Sequence, residues 1–562
     1  MTDVQLGRRI GSRDLIWAAV VALVAMAVTF TYRSALVPTD PWHYVQGALD
    51  FPNGTWRPAG LSRWGFLLPI IPFASLWGDA TATYYVVPLL STGMLAAVLY
   101  LLGTRFVSRT TGVLGAAVGI TTPIVFVNLT RGYTDLTATM LIGLAILLAT
   151  VAQDAAAAAQ EAGRSWGWRV PVLLLACGFV TGWSFEVRET AVFAWPVIGW
   201  ILWRIGRPWA TLAWFAPLAL AWLALDMALS AAIYDDPLLK FRIITGADIS
   251  ESEVSSDAGY LGQSWWWYAT VLPRSIFRLS AGPALLACLA VGMIGGGVFR
   301  AQLGRIWAWG MLTVGLLWLQ GGPLDPEHPS VRLDVARYWL SFMVPLMLAA
   351  VGTVMIAVYR SRGGLRIAAV TGGALLGLAF LVPTVRFATT YSGFAPNGGD
   401  ALNELRADLT ARGGLPDGEV WTDWGTQRLL PAYQSGPFGA PLWESGRIRS
   451  LNRLLTRPPG SGAVPEPGDY VVVYGVSGRA CWHCQRAMNA VQEEFGPFPA
   501  DGWDLVFTSS TGSLQLYQLG PDAVWPESAS AGTPADGAGA SDSGSGTDDS
   551  SGDEDAATDP GP

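Results

Sequence analysis

Apolar stretches long enough to cross a membrane recur along the first two-thirds of the chain, and short polar loops separate them. An α-helix needs roughly 20 predominantly apolar residues to cross the hydrocarbon of a bilayer. The pattern predicts about eleven such helices, at approximately 15–35, 82–104, 111–128, 135–152, 170–185, 190–204, 208–231, 281–299, 306–320, 337–358 and 367–385. The chain is therefore predicted to be a polytopic α-helical membrane protein.

Every second loop between these stretches carries arginines: Arg8/Arg9/Arg13, Arg105/Arg109, Arg164/Arg169, Arg204/Arg207, Arg300/Arg305 and Arg360/Arg362/Arg366. Cytoplasmic loops accumulate Lys and Arg, so the alternation predicts a plasma-membrane protein with residues 1–14 in the cytoplasm. The long loops 36–81 and 232–280 are then predicted to lie outside. The first apolar run is too long for a signal peptide and is interpreted as an uncleaved anchor.

The apolar stretch Trp64–Gly78 contains two prolines and is short. It is therefore predicted to be an interfacial or re-entrant helix within the first outer loop, because a full crossing there would break the alternation of arginines.

After the last apolar stretch the sequence changes character. Residues 387–520 are predicted to form a soluble α/β domain on the outer side. Its predicted helices are Ala401–Arg412 and Cys484–Phe495, and its predicted strands are Glu419–Trp424, Asp469–Tyr474, Trp503–Thr508 and Ser513–Leu519. Residues 521–562 are rich in Gly, Ser and acids, so this tail is predicted to be disordered.

Composition changes this picture mainly through the cations and the cysteines. Lys240 is the only lysine among 562 residues, and the formal net charge of -8 arises largely from the acidic tail, so nothing points to a nucleic-acid partner.

Four cysteines are too few for a disulfide-based scaffold. Cys481-Trp-His-Cys484, between a strand and a helix, has the placement of a redox site, but a structural disulfide is the stronger prediction. A zinc site is weaker still, and no metal ligands are assigned.

Asp40 is the first candidate for chemistry. It follows the first apolar stretch, so its carboxylate would lie at the membrane surface within reach of water, where it could accept a proton from a hydroxyl. On local sequence alone, an Asp-Pro turn at Asp40-Pro41 is the stronger interpretation.

Two further groups of charges lie at the outer ends of predicted helices. Arg131 and Asp135 are four residues apart and would share a helix face, either at a functional site or as a helix-start ion pair. Glu186, Arg188 and Glu189 fall in a very short turn between two spans, where charges are costly unless they are paired or solvated. Mutual neutralisation is the alternative to a functional role.

Several cations fall in predicted outer loops, against the topology rule: Lys240, Arg242, Arg274, Arg278, Arg332 and Arg337. Guanidinium groups bind phosphate bidentately, and a lipid phosphate would lie at this depth. Contact with anionic lipid headgroups, without catalysis, is the alternative.

Together these motifs resemble the GT-C superfamily of integral-membrane glycosyltransferases, in the branch of the protein O-mannosyltransferases and the lipid A aminoarabinose transferases. The resemblance extends over Leu15–Arg386. The motifs that carry it are Asp40 with Tyr44, Arg63-Trp-Gly65, Arg131 with Asp135, the turn Glu186–Thr190, and Arg337-Tyr338.

The resemblance implies transfer of a sugar, with inversion, from a polyprenyl-phosphate donor to a hydroxyl of a glycan, lipid or protein. Asp40 would be the general base, and the donor phosphate would be bound by Lys240, Arg242, Arg332 and Arg337. His43, Tyr44 and Arg131 are expected to contact acceptor or sugar. A divalent cation (Mg or Mn) is used by some members.

The sequence departs from the family at one point. Pro41 follows Asp40 where members frequently carry a second acid, so that acid is expected from Asp50, Asp135 or Glu189, or is missing. Asp135 and Glu189 are the further catalytic candidates.

Two other functions stay open at this stage. A transporter or a flippase of lipid-linked glycans would need ionisable groups within spans, of which Asp226 is the clearest. A non-enzymatic envelope assembly protein would use the outer domain to bind partners.

Overall fold

The computed structural model describes residues 9–51, 63–244, 260, 262–279, 281–326, 329, 331–391, 400–414, 417–439, 442–443, 445–455, 464–474, 481–523 and 525. The predicted tail beyond 525 lies outside these residues, as do most of the predicted N-terminus and parts of the loops 36–81 and 232–280.

The membrane part of the chain is helical. Its α-helices are α1 Ser12–Thr31, α2 Asp40–Asp50, α3 Trp64–Leu67, α4 Ile71–Trp77, α5 Thr81–Phe106, α6 Arg109–Thr121, α7 Pro123–Asn128, α8 Thr134–Glu161, α9 Arg169–Val187, α10 Trp195–Trp203, α11 Pro208–Tyr234, α12 Leu239–Ile244, α13 Trp265–Phe277, α14 Gly282–Val298, α15 Arg300–Gln320, α16 Leu340–Arg360 and α17 Gly364–Tyr391. Two 3₁₀ helices, Glu189–Ala194 and Ala336–Trp339, lead into α10 and α16.

Within the described residues, seven helices are long and apolar enough to cross a membrane, or eight if the sharply bent pair α13–α14 is one span. The polytopic helical fold is therefore confirmed, with fewer such helices than the eleven predicted. The seven are Ser12–Thr31, Thr81–Phe106, Thr134–Glu161, Arg169–Val187, Pro208–Tyr234, Ala336–Arg360 and Gly364–Arg386.

Three predicted spans do not pass this test, for identifiable reasons. The stretch 111–128 is divided between α6 and α7 at Pro123, whose ring and missing N–H interrupt a helix. The stretch 190–204 begins as a 3₁₀ helix and continues in the short α10. The helix around 306–320 begins at Arg300 and includes Arg305, so its apolar window is short.

The Trp64–Gly78 segment forms the two short helices α3 and α4, with Pro72 in the first turn of α4. Neither is long enough to cross a bilayer.

The C-terminal part is a small α/β unit. Its elements are α18 Asp400–Ala411, β1 Val420–Thr422, α19 Trp424–Ser435, β2 Ile448–Ser450, α20 Asn452–Leu455, β3 Tyr470–Tyr474, α21 Trp482–Phe495, β4 Trp503–Thr508 and β5 Leu514–Leu519. The strand order is β2-β1-β3-β5-β4; β1 is parallel to β2 and β3, and β5 is antiparallel to β3 and β4. All five residues of β3 are buried, as is typical of a central strand covered on both faces.

Helix α19 joins this unit to the membrane part at the start of the first outer loop. The Tyr433 hydroxyl accepts a hydrogen bond from the Leu36 amide (3.2 Å), and Arg428 donates to the Pro38 carbonyl (3.0 Å). The Arg428 guanidinium carbon lies close to two indole rings, 4.7 Å from the centroid of Trp42 and 4.8 Å from that of Trp424. Such cation–π contacts favour a fixed relative position of the two parts.

Candidate active site

The site begins at Asp40, the first residue of α2. Pro41 occupies the first turn, where a missing N–H removes no helical hydrogen bond. A carboxylate there also interacts favourably with the helix dipole. Asp40 therefore opens a helix and is not part of the isolated turn that the Asp-Pro pair suggested. Its side chain is 24% exposed, so water and ligands can reach it.

Six side chains of alternating charge form a continuous series, here called the ionic series: Arg337, Asp40, Arg63, Glu189, Arg188 and Asp135. Asp40 Oδ2 lies 3.3 Å from Arg337 Nη1 and 3.8 Å from Arg63 Nη1. The carboxylate on which the sequence prediction centred is thus held between two guanidinium groups.

The other half of the series continues from Arg63 across the start of a 3₁₀ helix. Arg63 Nη2 is 3.9 Å from Glu189 Oε1, and the same oxygen is 3.6 Å from Arg188 Nε. Arg188 in turn lies 3.2 Å from Asp135 Oδ1, near the start of α8. Asp135 is 6% exposed, whereas Glu189 is 21% exposed, so the two predicted acids differ in their access to solvent.

A glycine brings Arg63 to this place. A Cβ built on Gly65 would lie 2.8 Å from backbone atoms of Glu186 and Val187, so only glycine lets α3 pack directly on the end of α9. The Trp183 indole N–H donates to the Gly65 carbonyl at 2.6 Å and holds the same contact. Arg63, immediately before α3, therefore reaches the charges that follow α9.

A second glycine brings the α7–α8 connection to α2. Gly132 has φ +77°, a conformation that favours glycine, and a Cβ there would lie 3.2 Å from the Pro41 side chain. This close approach places Arg131 and Asp135 on either side of a turn that packs beside Asp40.

Aromatic rings surround the guanidinium groups. The Arg337 guanidinium carbon lies 4.6 Å from the Tyr133 ring centroid, and that of Arg188 lies 4.6 Å from the Tyr338 ring. Arg63 donates a hydrogen bond to the Tyr44 hydroxyl. Rings exclude water from one side of each cation, which strengthens its interaction with an anion on the other side.

These surroundings set the protonation states at Asp40 and Tyr44. Burial alone would raise the pKa of Asp40, but the guanidinium groups of Arg337 and Arg63 hold it below its ordinary value. Burial raises the pKa of Tyr44 to about 12, so its phenol is protonated at neutral pH. Asp40 is accordingly an anion in the free protein.

Lys240 does not join the ionic series. Its ammonium pairs with Glu186 and lies 3.7 Å from Asp226, forming a separate inner cluster of Lys240, Glu186 and Asp226. All three side chains are at most 1% exposed. Both Asp226 oxygens lack a hydrogen-bond partner in the described part of the chain.

Arg242 and Arg332, also predicted to bind phosphate, lie next to local acids. Arg242 pairs with Asp236, and Arg332 lies 2.8 Å from Asp334. Arg337 is the only one of the four predicted phosphate ligands that the described residues show in contact with Asp40.

Two arginines of the ionic series were not assigned roles from the sequence. Arg63 was noticed only as part of the Arg63-Trp-Gly65 motif, and Arg188 only as a partner for neighbouring acids. Of the residues predicted to contact acceptor or sugar, Tyr44 is hydrogen-bonded to Arg63, and His43 contributes to the lowered pKa of Asp40. Arg131 is partly buried next to Gly132, and its Nε has no hydrogen-bond partner within the described residues.

The described part of the chain contains no group of three or more His, Cys, Asp or Glu side chains placed to hold a metal ion. The acids of the ionic series instead face arginines. In the C-terminal unit, Cys481 and Cys484 are joined in a disulfide. In the membrane part, Cys177 of α9 and Cys288 of α14 are buried thiols.

No protein-family model matches the sequence, and no curated protein matches it. Among solved structures, the chain is similar to ArnT from Cupriavidus metallidurans bound to undecaprenyl phosphate, with 13% identity and a TM-score of 0.48 over 92% of this chain and 100% of that one. It is also similar to the oligosaccharyltransferase AglB from Archaeoglobus fulgidus in complex with an inhibitory peptide and a dolichol-phosphate, with 11% identity and a TM-score of 0.41 over 78% of this chain and 65% of that one. The likeness to both structures is one of general fold.

Proposed function

We propose that this protein transfers a sugar from a polyprenyl-phosphate donor to an acceptor hydroxyl, with Asp40 as the general base. The observation that carries the proposal is the position of Asp40, a partly exposed carboxylate held between Arg337 and Arg63 at the entry to α2. A base next to a pair of cations is the arrangement that such a displacement requires.

The donor phosphate binds at Arg337 and Arg63. Both guanidinium groups are at least partly buried (9% and 13% exposed), so an anion bound there is screened little by water. Because the ionic series is balanced, with three acids and three arginines, the arriving phosphate competes with Asp40 for its cations. Anion binding therefore weakens the interactions that lower the pKa of Asp40 and makes it a stronger base.

The reaction is a single displacement. The acceptor oxygen attacks the anomeric carbon and its proton passes to a carboxylate oxygen of Asp40. The bond between that carbon and the phosphate oxygen breaks, and its electron pair leaves with the polyprenyl phosphate. The arginines stabilise the charge that develops on this leaving group. Attack from the face opposite the phosphate inverts the configuration, as in inverting hydrolases.

Glu189 and Asp135 hold arginines in this scheme. Glu189 contacts Arg63 and Arg188, and the buried Asp135 contacts Arg188, so each fixes a guanidinium group. This assigns them positioning roles in place of the catalytic roles for which the sequence made them candidates.

The central experiment uses purified protein in detergent with a panel of short-chain polyprenyl-phosphate sugars that carry a labelled sugar, and membrane extract as the acceptor source. Asp40→Asn should lower transfer about 10²–10⁴-fold, the usual contribution of a general base. Asp50→Asn, at the exposed end of the same helix α2 and outside the ionic series, is the matched control and should retain activity. Loss of activity in Asp50→Asn would instead support Asp50 as the second acid for which the sequence made it a candidate. Equal turnover by the two variants would remove Asp40 as the base.

The site is proposed to face the extracytoplasmic side. In support, the ionic series lies at one end of α8 and α9, whereas the pair Arg105–Asp154 lies near the opposite end of α8, next to a predicted cytoplasmic loop. A membrane-impermeant maleimide applied to intact cells should label Asp50→Cys and not Arg164→Cys. The reverse result would contradict the proposed orientation.

The inner cluster favours a second candidate, a transporter of a charged or lipid-linked substrate. Glu186, Asp226 and Lys240 are fully buried ionisable groups, and such groups within membrane segments often mark a transport path. The test measures flux of a lipid-linked sugar into proteoliposomes. Flux without a covalent product would support this candidate over the transferase if Asp226→Asn abolishes it and Asp40→Asn retains it.

A further inference from the structure

The Cys481–Cys484 pair has surroundings that a purely structural bridge does not require. The two cysteines open helix α21 directly after the segment that follows β3, and Cys481 is the N-cap residue of that helix. The Cys484 amide donates to Cys481 Sγ at 3.2 Å. A helix N-terminus stabilises negative charge, so a thiolate formed there is favoured.

Asp423 lies beside the same pair. It follows β1 and is fully buried, and its Oδ1 accepts a hydrogen bond from the Thr426 amide at 2.9 Å. Its other oxygen, Oδ2, has no hydrogen-bond partner within the described residues. A buried carboxyl with an unused oxygen is costly and is therefore a candidate for a function.

Gly425 lets the carboxyl and the sulfur come together. A Cβ at this position would lie 3.1 Å from Asp423 Oδ1 and 3.2 Å from Cys484 Sγ, so the oxygen and the sulfur both border the space that a side chain would fill. Proton transfer between such groups can occur directly or through one water molecule. Burial raises the pKa of Asp423 to about 7, so at neutral pH this carboxyl can both take up and release a proton.

We propose that Cys481 and Cys484 form a thiol–disulfide exchange site that oxidises dithiols, with Asp423 as the group that exchanges a proton with Cys484. This proposal does not depend on the proposed sugar transfer, because it concerns different residues in a different part of the chain.

The exchange proceeds in two balanced steps. A thiolate of the dithiol attacks the Sγ of Cys481, a residue that is 8% exposed, whereas Cys484 is fully buried. The Cys481–Cys484 bond breaks, its electron pair stays on Cys484 Sγ, and protonated Asp423 supplies the proton to that sulfur. The second thiol of the dithiol then loses its proton to the Asp423 carboxylate and attacks the dithiol's own sulfur in the mixed disulfide. The bond to Cys481 breaks, and Cys481 leaves as a thiolate with the electron pair. The dithiol loses two electrons and becomes a disulfide, and the cysteine pair gains those two electrons.

Other titratable or charged side chains lie on the elements around the pair. The His483 ring centroid is 6.2 Å from that of Trp424, and the Arg428 guanidinium carbon is 4.8 Å from the same Trp424 ring. Arg486 is exposed on α21, and Tyr474 is buried at the end of β3. The Asp423 carboxyl borders the same space beside Gly425 as Cys484 Sγ does.

The test measures reduction of the full-length protein by dithiothreitol under native conditions, with thiols counted by a gel shift after reaction with a polymer-linked maleimide. Reduction should occur well below the unfolding temperature and should reverse when oxidised dithiothreitol is added. At pH 7, Asp423→Asn should slow it about tenfold or more, as expected for loss of a proton donor. The exposed Asp417→Asn is the matched control and should react as the unmodified protein does.

Two results would overturn the proposal. The first is a disulfide that is reduced only as the protein unfolds, which identifies a structural bridge. The second is equal reduction rates for Asp423→Asn and Asp417→Asn between pH 6 and pH 8. If Asp423→Asn unfolds, the pH dependence of reduction in the unmodified protein decides: a rate that follows thiolate formation by dithiothreitol alone leaves no role for a carboxyl.

Discussion

Two groups of charges meet at the end of α9, and they differ in balance and in access. The ionic series contains equal numbers of acids and arginines, and its members Asp40 and Glu189 are 24% and 21% exposed. The inner cluster contains two acids and one lysine, and all three side chains are at most 1% exposed. Glu186 belongs to one group, whereas Arg188 and Glu189, immediately after it, belong to the other.

The difference indicates separate tasks for the two groups. A balanced and partly open series can exchange one of its anions for a ligand, because a guanidinium group released from a carboxylate can bind a phosphate. A closed and unequal cluster cannot admit a ligand without opening, so removal of its single cation leaves buried negative charge. The first group is suited to chemistry, and the second to fixing α9, α11 and α12 against one another.

The largest effect on stability is expected from Lys240→Met. This change leaves Glu186 and Asp226 buried without a cation and should lower the free energy of unfolding by about 3–5 kcal/mol. Thermal unfolding in detergent micelles measures it. The triple variant Lys240→Met/Glu186→Gln/Asp226→Asn should regain most of the loss, and if it is as unstable as the single variant, charge is not the cause.

Arg337→Gln should change the kinetics of sugar transfer and leave the fold intact. Loss of a charged hydrogen bond to phosphate, worth about 1.5–3 kcal/mol, should raise KM for the lipid-phosphate donor. Arg337 also lowers the pKa of Asp40, so its removal raises that pKa and should move the acid limb of the pH–rate profile to higher pH. A matched Arg274→Gln change, at an exposed position, should leave both quantities unaltered.

Gly65→Ala tests the contact that connects the two groups. The added methyl would lie 2.8 Å from the α9 backbone, so α3 must move, at a cost of about 1–3 kcal/mol. The displacement should also separate Arg63 from Glu189 and reduce turnover. Gly199→Ala, where the structure has nothing within 4 Å, is the control. Wild-type activity in Gly65→Ala would show that the series tolerates this movement.

The smallest effect is expected from Arg332→Gln. Arg332 is 26% exposed and its acid partner Asp334 is two residues away, so the pair should contribute less than about 1 kcal/mol. We expect less than a twofold change in KM for the donor. A large rise in KM would instead support the sequence prediction that Arg332 binds the donor phosphate.

The apolar pattern predicted the long helices well, because length and hydropathy alone determine whether a helix can cross a membrane. It overestimated their number where Pro123 divides a stretch. Helix α19 escaped prediction because Pro431 lies inside it, and β2 because three residues show no periodicity.

The site was predictable in part. Asp40 and Arg337 were both singled out, although 297 positions separate them. Arg63 and Arg188 were not assigned, because their roles depend on contacts between α3 and α9 that no local pattern reveals. The sequence predicted correctly that Lys240, Arg242 and Arg332 are cations outside the long apolar stretches. Whether a nearby acid already pairs with each of them depends on the tertiary structure.

The contact of Arg428 with both Trp42 and Trp424 has a consequence for truncation experiments. Removing the C-terminal unit would also remove Arg428 and Tyr433, whose side chains form hydrogen bonds with the backbone of Pro38 and Leu36, a few residues before Asp40. The connection from α1 to α2 would then lose its anchors. A truncated protein could therefore be inactive for either of two reasons. Asp40 would be displaced, or a domain that binds the acceptor would be missing. Point substitutions on the surface of that domain are the cleaner way to ask what it binds.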